Sequence, residues 1–175
     1  VTFLGGLHWP PNAAGIQWFV SEVWERIAAE QPSAQLTVIG KDPPTALVSA
    51  AEGSSSIEIT GYVDDPTPYL AATAAFIVPL HAGGGMRVKI LDAWRWGLPV
   101  VSTSIGAEGI SIDDGENILI ADDARSFADA VLSVLHNETI ARHLREEGRR
   151  SAERNYDWRS VYRAWDEIYQ PERSY

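Results

Sequence analysis

Ala74-Ala75-Phe76-Ile77-Val78-Pro79-Leu80-His81-Ala82-Gly83-Gly84-Gly85-Met86-Arg87-Val88-Lys89-Ile90-Leu91-Asp92 is the stretch whose reading decides the fold. It opens on a near-continuous apolar run, which suits a strand covered on both faces, as in a parallel sheet. It then crosses three consecutive glycines and resumes with helical character to about Trp96. A buried strand that feeds a glycine turn and then a helix is the leading half of a βαβ unit.

The same alternation extends in both directions. Val1–Leu4 reads as a buried strand, and Ala13–Ala29 as a helix with Ile16, Phe19, Val20, Val23, Trp24 and Ile27 on one face. Asn12 stands where an N-cap is expected. Strand Gln35–Ile39, helix Thr45–Ala51, strand Ile57–Thr60 and helix Pro66–Ala72 lead up to the deciding stretch. Strands Val100–Thr103 and Ile118–Ala121 follow it, then helices Ala124–His136, Glu138–Arg154 and Trp158–Tyr169. The pattern predicts an α/β fold: a doubly wound, Rossmann-like parallel sheet of about six strands with helices on both faces, forming one domain over 1–175. Because the chain opens on a core strand, it is expected to be one domain of something longer. The tryptophans at helical spacing, Trp158 and Trp165 among them, are expected to be core residues, with some aromatics of the last helix exposed.

Composition narrows the function classes. The chain has 175 residues, a net charge of −10 and no cysteine. The charge argues against a nucleic-acid surface, which needs a basic face. The missing thiols exclude disulfide frameworks, thiolate metal sites and cysteine nucleophiles.

Open parallel sheets bind ligands at the carboxyl ends of their strands. Of the loops expected there, His81–Lys89 is the richest in chemistry. Gly83, Gly84 and Gly85 permit positive φ and close backbone approach, and they lead into a helix whose first N–H groups lack partners. Arg87 and Lys89 oppose the helix dipole where they stand, a conflict that an anion such as a diphosphate resolves. The competing reading is a flexible turn with solvated cations, Lys89 pairing with Asp92 at helical spacing. The loop matches neither the P-loop nor the dinucleotide fingerprint.

At this segment the chain resembles the C-terminal domain of the family 4 (group 1) glycosyltransferases, which have the GT-B fold. The resemblance covers essentially the whole chain. It is carried by Phe3-Leu4-Gly5-Gly6, Pro11-Asn12 with Gly15, Leu36–Gly40, Thr60–Asp65, Val78-Pro79-Leu80, Lys89–Ala93, Gly97–Thr103, Gly106–Gly109 and Asp114–Asn117 in order. It implies a nucleotide-sugar-binding domain of a retaining enzyme that transfers a hexose-type sugar from an NDP-sugar to an acceptor. The acceptor side, with any catalytic residue that handles it, is expected in a separate N-terminal domain, and this chain alone is expected to be inactive. In many relatives a pair of glutamates occupies the positions held here by Gly84 and Asp92. The resemblance therefore implies a ribose-binding role for Asp92 and no sugar-binding side chain at Gly84. Relatives also carry an Arg and a Lys after the first strand, where this chain has Gly5-Gly6-Leu7-His8-Trp9. Arg87 and Lys89 are expected to supply that charge from the other side, with Gly83, Gly84 and Gly85 completing the diphosphate site.

Tyr62 or Val63 could contact the base, and His81 and Glu108 the sugar or phosphate, against core, loop or turn roles for each; Lys41 is expected to be solvated. His136 and His143 look structural or exposed. Turns and caps account for the doublets Asp64-Asp65, Asp113-Asp114 and Asp122-Asp123. No cofactor and no essential metal are expected, the nucleotide sugar being a co-substrate. The expected acceptor is lipid-linked or a polysaccharide, in the cytoplasm and peripheral to the membrane through the missing domain. A non-catalytic nucleotide-binding or protein-interaction module of the same fold is the alternative. A phospho-receiver domain would need an acidic cluster after the first strand, which Gly5-Gly6-Leu7-His8 does not provide.

Overall fold

The structure, a computed structural model, describes residues 1–156. The expected helix Trp158–Tyr169 lies outside the described residues.

The strands are β1 (Thr2–Leu4), β2 (Leu36–Ile39), β3 (Ile57–Gly61), β4 (Phe76–Val78), β5 (Val100–Ser102) and β6 (Leu119–Ile120). They form one parallel sheet in the order β3-β2-β1-β4-β5-β6. The chain starts at the centre, winds outward to β3, and crosses back to β4. Strand order thus reverses between β1 and β4, and it is at such a switch point, outside the carboxyl ends of the strands, that open parallel sheets hold their ligand crevice.

The helices are α1 (Pro10–Trp18), α2 (Trp24–Glu30), α3 (Thr45–Glu52), α4 (Thr67–Ala71), α5 (Val88–Arg95), α6 (Ala124–His136) and α7 (Glu138–Tyr156). They divide the core between the two sheet faces. On one face Phe3, Val38, Ile77 and Val101 pack with Ile16, Phe19, Ile27, Phe127 and Leu144. On the other, Phe76, Val78 and Val100 pack with Ile90, Trp94 and Ala152. Neighbours along a strand point to opposite faces, so Phe76 and Val78 serve one core and Ile77 the other. This is why β4 reads as uninterrupted hydrophobic sequence.

Two local expectations are corrected. The long first helix is not continuous: a π-helical turn, Phe19–Val23, separates α1 from α2, and the Trp24 N–H donates to the Phe19 carbonyl. The wider turn keeps Phe19, Val23, Trp24 and Ile27 all buried. Nor is Asn12 an N-cap. The helix starts earlier, at Pro10, with Trp9 at the cap position; proline's fixed φ and missing N–H suit the first helical turn.

Candidate functional site

Freed from capping, Asn12 is buried in the first turn of α1. Its Nδ2 donates to the Gly6 carbonyl at 2.9 Å. Its Oδ1 accepts from Lys89 Nζ at 2.8 Å. One amide thus ties the loop after β1 to α5, across the point where strand order reverses.

Lys89 is the second residue of α5 and is half-buried. Its side chain runs inward along the apolar ring of Phe3, with Nζ 4.7 Å from the ring centroid. Gly5 provides the room, since a Cβ there would stand 2.7 Å from Nζ. Loss of hydration at this inward end, and next the positive charge of Arg87, push the Lys89 ammonium down from 10.5 to about 8.

Arg87 lies at the N-cap position of α5, with 5% of its surface exposed. Its guanidinium folds back under the glycine loop. Nη1 donates to the Gly84 carbonyl at 2.9 Å and Nη2 reaches the Ile105 carbonyl at 3.5 Å. Nε is buried without a partner. The indole of Trp9 covers the group at 5.8 Å. Gly83 and Gly85 have φ of +109° and +88°, which L side chains rarely adopt. Gly83, Gly84 and Gly85 are all exposed at the crevice.

Neither cation is therefore a solvated surface group, and the expected alternative of a Lys89–Asp92 pair is replaced by the bond to Asn12. Among the described residues, no ion pair involves Arg87 or Lys89. Contrary to the expectation of free N–H groups at the start of α5, those of Val88 and Ile90 donate to the Met86 and Arg87 carbonyls. Two inward-turned positive charges without a carboxylate partner therefore make the cradle, an arrangement suited to an anion.

The remaining candidates lie on neighbouring loops of the same sheet edge and on α5. Asp92 is exposed on α5, one helical step along the face that carries Lys89. Tyr62 is 71% exposed. With Val63, Gly61, Gly5, His8 and Lys41 it borders a cavity of about 260 Å³ over the ends of β1, β2 and β3. Glu108 borders a second cavity, about 430 Å³, with Ala82, Gly83, Ser104 and Ile105. The loop bearing Ser104 is held by Asp122, which accepts from the Ser104 N–H at 2.7 Å and from its hydroxyl at 2.6 Å. Thr103 ties the loop to the segment that follows β4 by donating to the Leu80 carbonyl, and its hydroxyl oxygen accepts from the Gly106 N–H at 2.8 Å. His81 is exposed and sets its ring edge-on to Trp18, with centroids 4.3 Å apart. A cleft of about 560 Å³ lies at the opposite edge of the sheet beside Val1, Gln35 and Glu58, remote from these groups.

The acidic doublets serve the backbone. Asp65 accepts from the Thr67 N–H, Asp123 caps α6 through Arg125 and Ser126, and Asp114 accepts from the Ile120 N–H. His136 and His143 make exposed contacts with Gln31 and Glu116. Asn12, Trp9 and Ile105 lie in loops expected at the ligand-binding edge of the sheet, but the local sequence assigns none of them a role in the site. Pro11-Asn12 reads locally as a helix start, and the contact to Lys89 spans 77 positions.

This architecture has known counterparts. The S. aureus protein TarM superposes with a TM-score of 0.80 at 15% identity, over 97% of this chain and 35% of that one. Anabaena HepE, solved with UDP-glucose, superposes with a TM-score of 0.78 at 14% identity, over 95% and 47%. An uncharacterized 44.6 kDa protein in the cps region of Klebsiella pneumoniae is 30% identical over 169 residues, which are 93% of this chain and 44% of that protein. The chain thus spans less than half the length of this relative. The family pattern described as "Glycosyl transferases group 1" matches residues 1–137. With most of the chain matched by this pattern, and with the fold shared with those solved structures, the chain belongs to the group 1 glycosyl transferases.

Proposed function

We propose that the crevice between β1 and β4 binds the nucleotide-sugar donor of a retaining transfer of a hexose-type sugar. The observation that carries this reading is the pair of inward-turned, carboxylate-free cations, Arg87 and Lys89, at the mouth of α5. The diphosphate lies on the N–H groups of Gly83–Gly85 and against these two side chains. Asp92 accepts hydrogen bonds from the ribose hydroxyls. The base occupies the cavity beside Tyr62 and Val63, and the sugar extends toward His81 and Glu108. Gly84 contributes only backbone to the sugar. The HepE structure, a complex with UDP-glucose, supports this donor class.

Transfer breaks the bond between the anomeric carbon and a diphosphate oxygen, leaving negative charge on that phosphate. Fixed positive groups aimed at the developing charge lower the barrier, and Arg87 and Lys89 serve this role without a metal. The acceptor, lipid-linked or polysaccharide, approaches from a separate domain in the cytoplasm.

Calorimetric titration with UDP, GDP, ADP and their sugar conjugates tests the reading. At least one should bind saturably, and Arg87→Ala should weaken it about tenfold or more, since a charged hydrogen bond is worth ~1.5–3 kcal/mol. Silence across the panel would sink the donor-site reading and favour a protein-interaction module.

A further inference from the structure

We propose that Asn12 is the positioning residue of this anion site: its amide holds the Lys89 ammonium at the switch point and leaves its positive charge uncancelled. The proposal rests on the donor-site reading above.

The amide has only one workable orientation. Nδ2 faces the Gly6 carbonyl at 2.9 Å and Oδ1 faces Lys89 Nζ at 2.8 Å. Turning it over would oppose donor to ammonium and acceptor to carbonyl. The carbonyl end therefore points at Lys89 by necessity. It takes one of the three ammonium hydrogens, and no other hydrogen bond of Nζ is made among the described residues.

The identity of the residue matters as much as its place. A carboxylate of the same size would also orient the ammonium, but it would neutralise it. A neutral amide orients a cation without competing against an anionic ligand. The other groups around Nζ preserve this condition. From β1 and its loop come Phe3 and Gly5, neither of them titratable. From α5's own start comes Arg87, which is positive. The His8 ring packs over Gly6 and makes no hydrogen bond with Lys89 Nζ. Asp92, three residues further along the same face of α5, is exposed and makes no ion pair with Lys89, so in a chain of net charge −10 the two cations have no salt-bridged carboxylate among the described residues.

The test compares wild type, Asn12→Asp and Asn12→Ala in the intact protein. Binding of UDP, GDP and ADP is measured against the parent nucleosides from pH 6.5 to 9.5, with thermal unfolding as a check on folding. For both variants the expected result is a loss of about ten- to a hundredfold in diphosphate affinity, with nucleoside affinity unchanged. The pH at which diphosphate binding is half lost should rise in Asn12→Asp, where an anion stabilises the ammonium. It should fall in Asn12→Ala, where an acceptor is gone. A merely structural role would move both variants in the same direction, and that outcome overturns the proposal. If Asn12→Asp does not fold, Asn12→Ala decides alone: wild-type affinity and an unmoved pH midpoint overturn the proposal. A wild type that binds no nucleoside diphosphate overturns the donor-site reading and this proposal with it. A wild type that binds, with variants indistinguishable from it, overturns only the role of Asn12.

Discussion

An ammonium held against a phenyl ring and beside a guanidinium gives up hydration that its surroundings replace only in part. Lys89 does this, and its proton is correspondingly loose at about pH 8. The sign of the effect on stability follows. The folded value lies below the unfolded one of 10.5, so between about 8 and 10.5 the unfolded chain holds more protons. The penalty of desolvating the charge is full below about pH 8 and fades as pH rises through that window. Its size is on the order of 3 kcal/mol. Lys89→Met should therefore differ most from wild type in unfolding free energy at neutral pH. Wild type should gain stability relative to the variant between pH 8 and 10.5; a difference independent of pH would show that the ammonium is not strained by its surroundings. The ligand prediction has the opposite sense. A bound diphosphate favours the charged form, so its affinity should weaken as pH climbs past about 8, with proton uptake on binding detectable as a buffer-dependent heat.

At the scale of elements, the site depends on where α5 is held. Trp94 is its buried anchor, fully removed from solvent on the second core face. α7 passes over that indole at Gly148, where an added Cβ would stand 2.5 Å from Trp94 Cδ1. In an ordinary helix interior, Gly→Ala stabilises by about 1 kcal/mol. Here the sign should reverse: Gly148→Ala is expected to destabilise by about 1–3 kcal/mol, the usual result of overpacking, as read from the chemical-denaturation midpoint. A stabilised variant would show that α5 and α7 separate without cost. The elements themselves were mostly legible, because apolar periodicity is local information. Strand β4, α5, α6 and the alternating order follow from it directly. The π-helical turn at Phe19–Val23 was not legible, since it arises from fitting Phe19, Val23 and Trp24 into one core. The cap at Asn12 was misplaced because Pro10 is an equally good helix start and only its fold partner reveals what the side chain is for.

At the scale of the molecule, the sheet order brings the glycine loop, Arg87, Lys89 and Asn12 together at the carboxyl edge, beside the switch point between β1 and β4. The chain spans less than half the length of its Klebsiella relative. As a proposal, it binds the donor and leaves the acceptor to a separate domain. The expected outcome is saturable nucleotide binding without sugar transfer when this chain is assayed alone. Efficient transfer by the chain alone would show that the acceptor chemistry is here as well.

The sequence by itself determined the class of the fold and the place of the glycine loop in it. Alternating apolar periods force strand–helix alternation, and three glycines before a helix permit the positive φ seen at Gly83 and Gly85 wherever the rest of the chain goes. It also determined which two residues supply positive charge. Only the tertiary structure decided what those charges are. Arg87 turns back under its loop beneath Trp9, and Lys89 reaches across 77 positions to Asn12. Loss of solvent and the absence of a carboxylate partner are properties of neighbours distant in sequence, and local pattern carries no information about them.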